Sequence, residues 1–160
     1  LSLHATTFTN ALHYSWQHCH DEPTRKLLLL QNASFLPLFR GSGRSGPSID
    51  ELTPAKETPE SIDEVFADFG ASRLEASRRM LAYLQAEQNV KPFADAARRL
   101  IFLKGTNSHD YKYSSAVLED YRSLAAPVRN RFLAATAFYF KSSSDPDNRL
   151  VGRARSALQA

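Results

Sequence analysis

The polar stretch at positions 105–121, GTNSHDYKYSSAVLEDY, concentrates side chains whose types suit acid–base chemistry. His109 is followed at once by Asp110, and a carboxylate beside an imidazole can hold it in the tautomer that accepts a proton. The same stretch also fits a solvated connection between two helices, because Asp110 or Ser114 could cap the helix that follows. The sequence leaves both interpretations open, a catalytic histidine with its orienting carboxylate or a capped helix start.

Two tyrosines flank Lys112 in this stretch. A lysine in an apolar setting can have its pKa lowered enough to act near neutral pH, and a charged lysine can stabilise an oxyanion. We therefore predict Lys112 as a catalytic residue, with Tyr111 and Tyr113 as substrate-binding residues beside it.

Four of the five histidines, His4, His13, His18 and His20, lie near the start of the sequence. At about 100° per residue, His13 and His20 share one helix face and the other two lie nearer the opposite face, so the four do not converge. The tripeptide HCH at positions 18–20 resembles a metal motif but lacks a second ligand pair at a known spacing. Histidines at a helix C-terminus also interact favourably with the helix dipole, and metal binding stays an alternative hypothesis.

His4 belongs to a predicted helix that we expect to be mostly buried, and a buried histidine needs a hydrogen-bond partner. One hypothesis is a core histidine whose hydrogen bonds are satisfied. The other is a proton carrier or ligand that faces a pocket. We predict the second arrangement, in which His4 and His109 line one cavity and both act as catalytic residues.

Composition bounds the classes to which the chain can belong. Its 160 residues are 42% hydrophobic and 23% charged, with a net charge of +3, which is typical of one globular domain and gives no basic excess for nucleic-acid binding. The single cysteine, Cys19, excludes an intrachain disulfide, and no apolar run is long enough to span a membrane. We therefore predict a cytoplasmic protein with no nucleic-acid or membrane partner. Because the sequence starts abruptly at Leu1, we also expect a piece of a longer protein.

Apolar spacing and capping residues predict an all-α single domain over residues 1–160, with seven or eight helices in an array or irregular bundle. The first helix is predicted over residues 3–19, and Asp21 caps a second helix with Pro23 in its first turn. That second helix is apolar on most of its surface, which predicts a central position, and Pro37 should end or kink it. Residues 40–59 hold three of the six glycines and three of the eight prolines and predict a long flexible loop.

The remaining helices are predicted from the same signals. Thr58 and Pro59 are predicted to begin a third helix that Gly70 closes, Ser72 begins a fourth, and Pro92 begins a fifth. Three further helices are predicted over residues 114–122, residues 127–141 with Pro127 in the first turn, and residues 145–158 with Pro146 in the first turn.

Two segments together resemble the questin oxidase-like family. The sequences LHATTFTNALHYSW (3–16) and TRKLLLLQNASFLPLF (24–39) resemble the histidine-bearing segment of the family. The sequence HDYKYSSAVLEDYRSLAAPVRNRFLAATAFY (109–139) is similar to its C-terminal segment, where a histidine precedes a lysine and an alanine-rich helix. The resemblance covers about half of the chain. Family members are considerably longer, which implies that this chain corresponds to their C-terminal part.

The resemblance implies a helical oxidoreductase related to fungal polyketide-tailoring enzymes, which carry out Baeyer–Villiger-type oxygenation of anthraquinone-like substrates. It implies His4, Thr6, Asn10, His109 and Lys112 as pocket residues, with Thr6 and Asn10 binding a small aromatic substrate. It makes NADPH the candidate electron donor, although the sequence has no nucleotide-binding motif. The difference in length implies that part of the pocket is absent or is supplied by a second chain carrying the N-terminal half.

Two hypotheses about function follow. In the first, His109 with Asp110 is the general base of a monooxygenase that removes a phenolic proton, and Lys112 stabilises the oxyanion. In the second, the chain is a non-catalytic helical module that binds a partner protein, because no strong catalytic motif is present and the segment 40–59 is expected to be exposed.

Overall fold

The computed structural model describes residues 2–39, 48–70, 72–86 and 89–159. These residues form eight α-helices and three short 3-10 segments and contain no strand, so the predicted all-α class with seven to eight helices is confirmed. The α-helices are α1 (Ser2–His18), α2 (Glu22–Phe35), α3 (Ile62–Asp68), α4 (Arg73–Ala86), α5 (Lys91–Lys104), α6 (Ser108–Ser123), α7 (Ala126–Ala135) and α8 (Arg149–Leu158). The 3-10 segments are Leu36–Phe39, Ile49–Glu51 and Thr136–Phe138.

The hydrophobic core is built by α3 to α7. The ring of Phe93 lies with its centroid 5.7 Å from that of Phe66 and 5.8 Å from that of Phe140, and Phe66 also contacts Phe69. Leucine, valine and alanine side chains of α4, α6 and α7 surround these rings. Burial of this apolar surface is the main stabilising contribution to the fold.

The N-terminal helices α1 and α2 form an antiparallel hairpin, since Thr9 donates a hydrogen bond to Asn32 and Arg25 lies over the ring of Trp16. One face of α1 packs against α6, and α2 packs against α1. The predicted central position of α2 is therefore wrong. Its apolar residues exceed what one contact with α1 can cover, and three leucines remain 56–65% exposed: Leu27, Leu29 and Leu30.

Several predicted helix ends are confirmed because their capping groups act locally. The Asp21 carboxylate accepts a hydrogen bond from the Thr24 backbone N–H at 2.9 Å, and Pro23 lies in the first turn of α2. The α-helix gives way to a 3-10 segment at Leu36–Phe39, which contains Pro37. Gly105 caps the C-terminus of α5.

Other predicted helix starts are wrong, and in each case a better capping residue lies nearby. Ser61, rather than Thr58 or Pro59, accepts the backbone hydrogen bond that starts α3. Asn107 starts α6 several residues before the predicted position. Asn148 caps α8, so Pro146 precedes the helix.

The predicted flexible loop over residues 40–59 is only partly within the described residues, since positions 40–47 lie outside them. From Ser48 onward the chain is held by specific contacts. Leu52 is buried in the core, and its carbonyl oxygen accepts a hydrogen bond from Arg131. The Ala55 N–H donates to the Arg78 carbonyl at 3.0 Å. This half of the segment is therefore packed against the helices.

Among the helices of the described ranges, none combines the length and the apolar character that crossing a bilayer requires.

Candidate functional site

The first turn of α6 is held by reciprocal hydrogen bonds that fix the position of His109. The side-chain oxygen of Asn107 accepts from the backbone N–H groups of His109 at 2.9 Å and Asp110 at 3.2 Å. The Asp110 carboxylate in turn accepts from the Thr106 N–H at 2.8 Å and more weakly from the Asn107 N–H. Both members of a capping box are therefore present, and the box sets His109 at the exposed N-terminal end of α6.

The structure places the imidazoles of His4 and His109 side by side. Their ring centroids are 5.3 Å apart and their planes are nearly perpendicular at 82°. His4 comes from α1 and His109 from α6, so the packing of α1 against α6 creates this pair. His4 is exposed, which differs from the buried helix position expected for it.

Three phenylalanine rings extend the histidine pair into a row in which each ring contacts the next. Phe39 lies 6.2 Å from His4, Phe35 lies 4.8 Å from Phe39, and Phe8 lies 4.0 Å from Phe35. We refer to these five rings, His109, His4, Phe39, Phe35 and Phe8, as the aromatic ladder. It runs from the start of α6 along the α1–α2 hairpin.

An open cavity of about 800 Å³ lies along the aromatic ladder, and we call it the histidine cavity. His109 does not line it, which differs from the arrangement predicted for the two histidines; its ring contacts that of His4, which does line the cavity. The phenylalanines and two alanines give it apolar walls, while a lysine, a serine, a threonine and an asparagine provide polar groups. Its lining residues are His4, Thr7, Phe8, Asn10, Ala11, Phe35, Phe39, Tyr111, Lys112, Ser115 and Ala116.

Three further predicted site residues line the histidine cavity. Lys112 is exposed and forms no ion pair with any described residue. The Tyr111 hydroxyl donates a hydrogen bond to the Gly105 carbonyl at 3.2 Å, which orients its ring. The Asn10 amide group donates to carboxylates on α6, to Asp120 at 3.0 Å and to Glu119 at 3.2 Å.

Two predicted substrate-binding residues lie elsewhere. Tyr113 is 6% exposed and packs in the core against Tyr139 and Phe140, because the α-helical repeat places it about 100° around α6 from Lys112, on the face that meets the core. Burial, with a smaller contribution from Tyr139, raises the pKa of the Tyr113 hydroxyl well above its ordinary value. Thr6 lines a different cavity on the other side of α1.

The orienting role predicted for Asp110 does not fit its contacts. Its carboxylate serves the capping box and forms an ion pair with Lys141 at 3.1 Å. Burial alone would raise the pKa of this carboxyl, but the hydrogen bonds from Thr106 and Asn107 and the charge of Lys141 outweigh it, so the pKa is lowered. Asp110 is therefore a helix-capping residue, which is the second of the two interpretations of this stretch.

The aromatic walls Phe8, Phe35 and Phe39 were not among the residues predicted from the sequence. Phe35 and Phe39 are four residues apart, a spacing that places side chains on one helix face, and this signal could have indicated them. Their association with His4 depends on how α1 and α2 pair, which spacing does not show.

The alternative of a metal site finds no support in the described ranges, where no three His, Cys, Asp or Glu residues group closely enough to hold an ion. His18 of the HCH tripeptide instead stacks on Tyr14, and its Nδ1 lies 2.8 Å from the Tyr14 carbonyl oxygen. The geometry thus offers acid–base and anion-binding groups beside an aromatic surface.

No protein-family model, curated protein or solved structure matches the chain.

Proposed function

We propose that the chain binds a flat aromatic molecule with an ionisable hydroxyl group in the histidine cavity and takes part in its oxygenation, as an oxygenase-type oxidoreductase or a portion of one. The observation that carries the proposal is an aromatic ladder that ends in two imidazoles 5.3 Å apart, one of which, His4, lines the histidine cavity together with Lys112. The resemblance to the questin oxidase-like family suggests an aromatic polyketide-like substrate.

The aromatic walls support binding of a planar ring system. Pockets of about 300–1,000 Å³ hold most small organic ligands, and the histidine cavity, at about 800 Å³, falls in this range. Phe8, Phe35 and Phe39 offer ring faces and edges, and aromatic pairs gain roughly 0.5–1.5 kcal/mol beyond the burial of their surface. An aromatic ligand therefore gains more from these walls than an aliphatic ligand of equal area.

The polar groups support removal of a proton from the ligand. Imidazole is the side chain that most often serves as a general base, so His4 and His109 are the candidate acceptors of a phenolic proton. The Lys112 ammonium, which has no carboxylate partner in the described structure, would stabilise the phenolate. A phenolate makes the ring more electron-rich and so prepares it for oxidation.

The oxygenation step needs reactants beyond these residues. Baeyer–Villiger-type insertion places one atom of O₂ next to a ring carbonyl and reduces the other to water, which consumes two electrons and two protons. The resemblance suggests NADPH as the electron source. A second chain that carries the N-terminal half is the candidate holder of this donor.

Binding of a hydroxyanthraquinone tests the proposal, because its phenolate absorbs visible light at longer wavelength than the phenol. We expect saturable binding and a lowered ligand pKa in the complex. His109→Ala should weaken binding of the phenolate form while leaving helix content intact. His18→Ala is the matched control, because the His18 ring stacks on Tyr14 and is not part of the aromatic ladder. Equal ligand pKa values in wild type and His109→Ala would refute the assignment.

A second candidate function is a non-catalytic helical module that binds a partner protein. The exposed leucines of α2 favour it, because contiguous apolar surface often marks an interaction site. Size-exclusion chromatography with light scattering tests this candidate. A monomer that binds the hydroxyanthraquinone favours the enzyme, whereas an assembly dissociated by Leu27→Asp favours the module.

A further inference from the structure

A second cavity, of about 470 Å³, lies on the other side of α1 from the histidine cavity and shares no lining residue with it. It is open to solvent on one side and is bordered by α1, the 3-10 segment after α2, the last turn of α6, and α7. Leu36, Leu124 and Phe132 form its apolar walls, and Asp120 is the one carboxylate among its lining residues. We call it the Asp120 cavity.

The Asp120 carboxylate has one oxygen in use and one available. Its Oδ1 accepts a hydrogen bond from the Asn10 amide at 3.0 Å, and no described residue donates to Oδ2. Partial burial raises the pKa of this carboxyl, while the Asn10 hydrogen bond and the nearby His13 imidazole lower it and Glu119 raises it. A partly desolvated carboxylate of this kind gains from a cation that brings hydrogen-bond donors.

The surroundings of Asp120 favour a positive ligand. Asp120 belongs to the last turn of α6, where the helix dipole presents its negative end. No lysine or arginine in the described ranges forms an ion pair with it, and His13 is the other titratable group that lines the cavity. Thr9 gives its hydroxyl hydrogen to Asn32 at 3.0 Å, so its oxygen can accept a hydrogen bond from a ligand.

We propose that the Asp120 cavity binds an organic ammonium ion, a primary or secondary amine attached to an aromatic or aliphatic group. The ammonium N–H groups donate to Asp120 Oδ2 and to the Thr9 hydroxyl oxygen. The apolar group of the ligand packs on Leu36, Leu124 and Phe132. The Asp120 carboxylate repels an organic anion. A neutral alcohol leaves the negative charge of this carboxylate without a partner.

Titration of the full chain with phenethylamine, followed by amide NMR shifts, tests this site. We expect saturable binding of the amine, with 2-phenylethanol and phenylacetate at least about tenfold weaker. Asp120→Asn should weaken amine binding by about ten- to a hundredfold. Glu119→Gln is the matched control, because Glu119 shares the Asn10 contact but does not line the cavity; its charge acts only from a distance, so the affinity should fall by less than about threefold.

A second variant keeps the test decisive if Asp120→Asn fails to fold. Ser123→Lys places a tethered ammonium at the cavity and should weaken amine binding at least about tenfold by competition. Absence of saturable amine binding, equal affinity for the alcohol, or unchanged amine affinity in Ser123→Lys or a folded Asp120→Asn would overturn the proposal. Amine-induced shifts confined to the histidine cavity would overturn it as well. Amine binding at the Asp120 cavity does not depend on whether a phenol binds the histidine cavity, so the two proposals can fail separately.

Discussion

Replacing Asp110 with asparagine distinguishes a structural role of this carboxylate from a catalytic one. The carboxylate accepts hydrogen bonds from the Thr106 and Asn107 N–H groups and pairs with Lys141 at 3.1 Å. The Asp110 and Lys141 side chains are 12% and 22% exposed, so water screens this pair less than a surface pair. Asparagine keeps a neutral acceptor for Thr106 but loses the charge. We expect Asp110→Asn to lower the free energy of unfolding by about 1–2 kcal/mol at pH 7.

The pH dependence of this loss follows from the direction of the pKa shift. The pKa of Asp110 in the folded protein lies below its ordinary value of 3.8, so the unfolded chain binds the proton more readily. The stabilising contribution is complete above the unfolded pKa and is lost as the pH falls through the folded pKa. The difference between wild type and Asp110→Asn should therefore stay constant from about pH 8 to 5 and shrink below about pH 4.

Urea unfolding followed by circular dichroism measures this difference. Asp63→Asn is a suitable control, because the Asp63 side chain is 72% exposed in its pair with Arg99 and should contribute less than about 0.5 kcal/mol. Binding of the hydroxyanthraquinone phenolate should be the same in Asp110→Asn and wild type. The reasoning is refuted if Asp110→Asn keeps wild-type stability but loses the lowered ligand pKa, since that result would assign Asp110 to orienting His109.

The same urea assay checks three further expectations. Phe93→Ala should lower the free energy of unfolding by about 3–5 kcal/mol because Phe93 is 0% exposed at the centre of the ring cluster, and a loss below about 1.5 kcal/mol would contradict that position. The free energy of unfolding of Leu30→Gln should stay within about 0.5 kcal/mol of the wild-type value, because Leu30 is 65% exposed. A large loss of stability would indicate that α2 is buried in the core. Arg73→Ala should cost about 2 kcal/mol because its guanidinium donates to the Ala137 and Phe140 carbonyls at 2.7 and 2.9 Å; no change would show that water replaces both bonds.

Local signals in the sequence predicted the helices well. The Asp21 cap and Gly105 act within one turn of the backbone, so their effect can be inferred without knowing the rest of the fold. The errors at Thr58 and Pro146 are also local. Each gave way to a capping residue a few positions later, Ser61 or Asn148, whose side chain accepts a backbone N–H.

The position of α2 could not be inferred in this way. Its run of leucines shows that the helix is apolar on several sides, but not that another element is available to cover them. In the structure α1 covers one side, and the remaining leucines are exposed. A central helix and a peripheral helix with an uncovered face give the same pattern of residues.

The contacts that the site residues make could not be predicted from the sequence either. The residue types of His109, Asp110 and Lys112 indicated acid–base chemistry, but the partner of Asp110 is Lys141, thirty-one positions further along the chain. The side of α6 that carries Tyr113 was likewise determined by which face meets α7 and the core.

By itself the sequence determined the all-α class, most helix ends and the types of chemistry available, because capping and helical periodicity act over a few residues. Tertiary packing decided that His4 meets His109, that Asp110 pairs with Lys141, and that Asn10 binds Asp120. Each of these contacts joins elements far apart in sequence. Their geometry is set by how whole helix faces pack together, which no short stretch of residues specifies.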